Sequence, residues 1–102
     1  MQYLILRFQH GIEDIIPWCE FIEKMRLHLA RMGAGEFEGD DMALDGGDCE
    51  ALFRGPDVEK LFTVLLPHFR TLPLLVKPTT RAELIFGEID SSAQRQVVSL
   101  EC

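Results

Sequence analysis

The chain has 102 residues, of which 47% are apolar, and a formal net charge of −7. That length and apolar content suit one domain with one core and exclude two ordinary domains or a disordered chain. The charge argues against a nucleic-acid partner, because binding phosphates needs a basic surface.

The acids are concentrated: residues 36–59 hold nine of them against Arg54 alone. Such a segment suits a basic protein partner or simple solubility. No apolar run approaches the ~20 residues that span a bilayer. The opening MQYLILRF lacks a basic leader and its apolar run breaks at Arg7, so a signal peptide is not expected and cytoplasm is the expected location. Cys19, Cys49 and Cys102 form no CxxC pair and leave an odd count, which disfavours a disulfide framework. Cys19 and Cys49 fall within apolar patterns and read as small core residues.

Tyr3–Gln9 alternates, with Leu4, Leu6 and Phe8 on one side and Tyr3, Ile5 and Arg7 on the other. Apolar residues on both sides predict a central strand ended by His10-Gly11. A helix follows, with Asp14 as candidate N-cap and Pro17 tolerated in the first turn. Ile15, Trp18, Ile22, Met25, Leu29 and Met32 form its apolar stripe, widened by Cys19 and Phe21. Gly33 is the expected C-cap, with Arg31 in the last turn.

Glu36–Leu44 is a sparse, acidic strand suited to a sheet edge, with a bulge or turn at Gly39-Asp40. Asp45-Gly46-Gly47 signals a tight turn joining it to Cys49–Arg54 as a hairpin. In that second strand Cys49, Ala51 and Phe53 alternate with Glu50, Leu52 and Arg54. Gly55 is expected to adopt backbone angles that a side chain resists, and Pro56 to occupy the first helical position. Val58, Leu61, Phe62, Leu65 and Phe69 recur at helical spacing, and Pro67 is expected to loosen the last turn near His68. A glycine turn before a helix invites an anion site. Pro56 removes one donor, however, and Asp57 and Glu59 already occupy the positive end of the dipole.

Leu72-Pro73 closes that helix, Leu74–Lys77 reads as briefly extended, and Ala82, Leu84 and Phe86 alternate with Arg81, Glu83 and Ile85 in the last clear strand. The core is expected within about residues 1–89. From Asp90 the chain is a polar tail that ends in Val97, Val98 and Leu100, suited to lie along the sheet or a neighbouring subunit.

The order strand, helix, strand, strand, helix, strand predicts an α+β ferredoxin-like βαββαβ two-layer sandwich. It has a four-stranded antiparallel sheet with two helices on one face, in a single domain over residues 1–102. The segment GDCEALFRGPDVEKLFTVLLPHFRTLP resembles short uncharacterised bacterial proteins of this type, in which a strand ends in an aromatic-basic-glycine corner before an Asp-rich helix start. The resemblance covers about a quarter of the chain. It implies the fold and a bacterial origin, and it carries no activity or site residues.

Known chemistries find little support. Frames starting at Glu36, Glu38 or Asp40 place no glycine at the sixth position that an EF-hand loop requires. His10, His28 and His68 lie in separate elements without a second ligand at helical metal-pair spacing. No nucleophile elbow or local Cys-His signature is present. No catalytic residue, cofactor or metal is expected. The candidate interaction face is the sheet side left bare by the helices: Tyr3, Ile5, Arg7, Leu52, Arg54, Glu83 and Ile85, with Glu50 among them. The expected role is non-enzymatic protein binding, with a second copy or a basic protein as partner and neither nucleic acid nor membrane. The alternative is a small-molecule or regulatory pocket at the sheet or a dimer seam, with His10, Arg7 and Arg54 as its first polar groups.

Overall fold

The computed structural model describes residues 1–9, 16–41, 48–72, 75–76, 79–88 and 92–100. In chain order the elements are β1 (Gln2–Gln9), α1 (Ile16–Met32), β2 (Glu36–Asp41), β3 (Asp48–Gly55), α2 (Val58–Phe69), β4 (Arg81–Ile85) and β5 (Arg95–Ser99). The strands form one five-stranded sheet in the order β2-β3-β1-β4-β5, with every pairing antiparallel. The expectation of four strands is therefore corrected. The tail adds a fifth strand beside β4, because Gln96 and Val98 alternate with Arg95 and Val97 and match β4 residue for residue. Leu100 then turns into the core and is buried.

β1 is central, as its two apolar sides predict, and pairs with β3 and β4. Its residues Leu4, Leu6 and Phe8 join Cys49, Ala51 and Phe53 of β3 and Ala82 and Leu84 of β4 in one buried layer. Both helices cover that layer: α2 crosses β1, β3 and β4, and α1 meets β2. Trp18, Phe21, Ile22, Met25 and Leu29 from α1 and Val58, Leu61, Leu65 and Phe69 from α2 complete it. Six aromatic rings run through this core as a relay: Phe8, Trp18, Phe21, Phe69, Phe53 and Phe37, with successive centroids 4.7, 5.8, 6.1, 5.9 and 5.3 Å apart. Tilted and edge contacts of this kind add to what burial alone contributes.

Helix termini follow local chemistry. Gly33 has φ +63° and stops α1, with Ala34 N–H bonding the Leu29 carbonyl at 3.3 Å. Helix α2 begins one residue after Asp57, whose carboxylate accepts from the N–H groups of Glu59 and Lys60 at 3.1 and 3.3 Å. Asp57 is thus the N-cap, and Pro56 lies outside the helix rather than at its first position. Gly55 is needed for a different reason from the one expected. Its backbone is ordinary, but a Cβ there would run into the Ala34 carbonyl oxygen, and a Cβ on Gly35 would run into that of Arg54. The turn after α1 is pressed against the end of β3. Pro67 lies inside α2, which continues to Phe69.

Two further expectations fail on the outer rim of α1. Cys19 is exposed and Met32 is 49% exposed, because the inward stripe of α1 is narrower than the apolar residues on it suggested. The register of β2 slips between Phe37 and Gly39, which is the expected bulge. Asp14, Ile15, Met42, Leu44, the Asp45-Gly46-Gly47 turn, Pro73, Leu74, Lys77 and Asp90 lie outside the described residues.

Candidate interaction face

Because a strand alternates its side chains, the residues between the core positions all emerge on the side away from the helices. The ladder registers arrange them in three rows across the sheet. The first runs Glu36, Arg54, Tyr3, Ile85, Arg95; the second Gly39, Leu52, Ile5, Glu83, Val97; the third Asp41, Glu50, Arg7, Arg81, Ser99. All seven side chains expected on this face share it. Neither helix covers it, and β5 extends the sheet in its own plane instead of crossing over it.

The charges on this face are wired together. Arg7 donates from Nε to Glu50 at 3.2 Å and from Nη1 to Glu83, while Arg95 donates to the other Glu83 oxygen at 2.6 Å. Arg54 pairs with both Glu36 and Glu38. Burial pushes the Glu83 carboxyl up, but its hydrogen bonds from Arg95 and Arg7 outweigh that and hold it below the usual carboxylate range. Burial works against the Arg7 charge too, and the bonds to Glu83 and Glu50 raise its pKa on balance. For Arg54 the hydrogen bond to Glu36 is the leading cause of a raised pKa. Of the polar groups suggested for a ligand pocket, Arg7 and Arg54 are therefore engaged by carboxylates, and His10 lies outside the described residues.

The apolar members differ in access. Ile85 is fully buried and Ile5 is 8% exposed, although neither belongs to the helix-side core. They support the face from within and offer little surface, so Ile85 is set aside as a contact residue. Leu52 is half-buried, and Val97, which the expected face did not include, is 62% exposed. Val97 was legible only once its strand had a partner. Beside the β2 bulge, Ile5, Gly39 and Leu52 line a hollow of about 250 Å³ together with the acids Glu38, Asp41 and Glu50. A second hollow of about 370 Å³ lies at the far end of β1 and β3, with Arg7, Gln9, Glu50, Thr79 and Arg81 around it.

The structure also joins residues that are distant in sequence. The Trp18 indole N–H donates to Asp40 at 2.7 Å, tying α1 to the acidic edge strand. His28 and His68 meet across the helix pair with centroids 4.5 Å apart and ring planes tilted by 58°, and burial, His28 and Lys24 all lower the His68 pKa. Among the described residues no cluster of three or more His, Cys, Asp or Glu side chains is arranged to hold a metal ion. No helix of the described residues is long and apolar enough to cross a membrane. Comparison with protein-family models, with curated proteins and with solved structures finds no match to this chain.

Proposed function

We propose that this is a small non-enzymatic protein that acts in the cytoplasm by binding a protein, either a partner or another copy of itself, through the sheet face that neither helix covers. The observation that carries the reading is the composition of that face: half-buried Leu52 and exposed Val97 sit among interlinked arginines and carboxylates, beside an apolar hollow. Apolar side chains ringed by ordered charges suit a surface that becomes covered. The scaffold fits a ferredoxin-like arrangement extended by one edge strand, since β2-β3-β1-β4 are joined as that fold requires and the helices occupy its two crossovers.

The test is a photo-cross-linking side chain at position 97, with position 27 on the helix layer as control, since Leu27 is 61% exposed. Cross-links to protein from 97 and not 27, competed by excess unlabelled chain but not by its Val97→Asp variant, are expected. Products from 27 alone, or from neither, overturn the reading.

A second reading, a small-molecule or regulatory site, is supported by the 370 Å³ hollow, whose lining includes the polar residues Gln9, Thr79 and Arg81 beside the Arg7–Glu50 pair. A thermal-shift screen of metabolites should then raise the melting temperature of the wild type but not of Arg81→Ala.

A further inference from the structure

The sheet face away from the helices has two unlike halves. On the β2–β3 side it carries Glu36, Glu38, Asp41 and Glu50 against Arg54. On the β4–β5 side it carries Arg81 and Arg95 against Glu83, with Arg7 on the central strand between them. The shapes are unlike as well. The acidic half contains the hollow at Gly39, Leu52 and Ile5, and the basic half contains the exposed Val97. Hollow and knob lie in the same row, two strands on either side of β1.

From this we infer that the occupant of the face is a second copy of this chain, stacked sheet to sheet about a two-fold axis running along β1 in the plane of the interface. The inference rests on the binding-face reading above and names its partner. A two-fold interface must be self-complementary, each patch meeting its counterpart twice. Rotation about an axis along β1 keeps each row in register and exchanges its ends. Arg95 of one copy then lies over Glu36 of the other, Arg81 over Glu50, and Val97 over the hollow beside Gly39. Rotation about the perpendicular in-plane axis would exchange the first and third rows, laying Glu36 over Asp41 and leaving Arg81 and Arg95 opposite Ile85 and Ser99. Only Arg54 over Glu50 would then form an ion pair, so the charges favour that axis less. Two sheets stacked this way lie ~10 Å apart with strands within about 30° of alignment, the ordinary geometry of packed sheets. Near the axis Arg7 approaches its own copy, but each guanidinium is held between Glu50 and Glu83. An odd number of strands with β1 in the middle is what allows the axis to fall on a strand.

Sedimentation and light scattering of the full chain across protein and salt concentration test this. The wild type is expected to dimerise and to weaken as salt rises. Arg81→Glu sets a carboxylate against Glu50 of the other copy, and Glu50→Arg sets a guanidinium against Arg81. Each alone should weaken the dimer by at least about tenfold, since like charges are then placed together twice. Mixing the two variants should restore a heterodimer, because one of its two contacts regains the native pair and the other carries the same pair reversed. Val97→Asp, at an exposed position, should abolish the dimer while circular dichroism and the melting temperature of the monomer stay unchanged.

A wild type that stays monomeric at hundreds of micromolar overturns the inference, as does a dimer indifferent to all three substitutions or a mixture that fails to associate. The cross-linker at position 97 separates the two levels. Products with a different protein remove the second copy but keep the binding face, whereas no product removes both.

Discussion

The two faces of this sheet are made from the same strands, and neighbouring residues along each strand meet opposite fates. On the helix side, the strand positions from Leu4 to Leu84 are closed off by aliphatic and aromatic side chains, with Asp40 at the edge accepting from Trp18. On the other side, Ile5 and Ile85 are also buried, in a face where Arg7, Arg95 and Glu83 are hydrogen-bonded together. Burial is thus reached in two ways. One depends on packing density and tolerates no missing volume. The other occurs beside carboxylates and guanidinium groups that hold each other in place.

Removing volume from the helix side should do the most damage. Phe53 is fully buried between Phe37 and Phe69, so Phe53→Ala should cost about 3–5 kcal/mol in urea unfolding. A loss under ~1 kcal/mol would show that the aromatic relay is not what holds the helices down. On the other side the most sensitive position should be Glu83, only 12% exposed and bonded by both Arg7 and Arg95. Glu83→Gln leaves two guanidinium groups with a neutral acceptor, and an effect of about 1–3 kcal/mol at neutral pH is expected.

Because the folded-state pKa of Glu83 is depressed, its contribution is present above the ordinary carboxylate range and is lost as pH falls through it. The gap between wild type and Glu83→Gln should therefore close in acid. A gap that persists there would mean that Glu83 acts through packing. A smaller effect is expected at His68, whose pKa is also held down. The unfolded chain takes up a proton there before the folded one does. Stability should be full above the ordinary histidine pKa and should decline as pH falls below it, with His68→Gln flattening that limb. The smallest change in stability belongs to Val97→Asp, within about 0.5 kcal/mol, since that side chain is mostly exposed. A larger loss would show that the Val97 side chain itself helps to hold β5.

The sequence made the helix side readable because hydrophobic periodicity reports burial directly. Leu4, Leu6 and Phe8, then Cys49, Ala51 and Phe53, repeat at strand spacing, and Trp18 to Leu29 repeat at helix spacing. The bulge at Gly39 and the stop at Gly33 could be read from glycine placement. The fifth strand could not. Arg95–Ser99 holds one arginine, a glutamine and two valines, and only its pairing with β4 makes it a strand. Cys19 misled for the opposite reason: it extends an apolar stripe that the curvature of the core does not reach. Of the candidate face, the members were readable and the wiring was not. Alternation placed Arg7, Glu50, Arg54 and Glu83 on one side, but which carboxylate meets which guanidinium depends on registers between distant strands. The His28–His68 pair is of the same kind, a contact between helices far apart in the chain.

The central position of β1 has a consequence for how the molecule forms. β1 and its neighbour β4 are far apart in sequence, with Tyr3 opposite Ile85 and Arg7 opposite Arg81. The β2–β3 and β4–β5 pairings are local, but the strand that unites them must close two long loops, and that entropy is spent before the contacts are gained. Folding should therefore be slow for a chain of this size, in the millisecond-to-second range of domains dominated by non-local pairing. During synthesis β1 must wait, with one edge or both open, until β4 far downstream has been made. In that interval its Tyr3–Phe8 stretch is the segment most exposed to mispairing with other nascent strands.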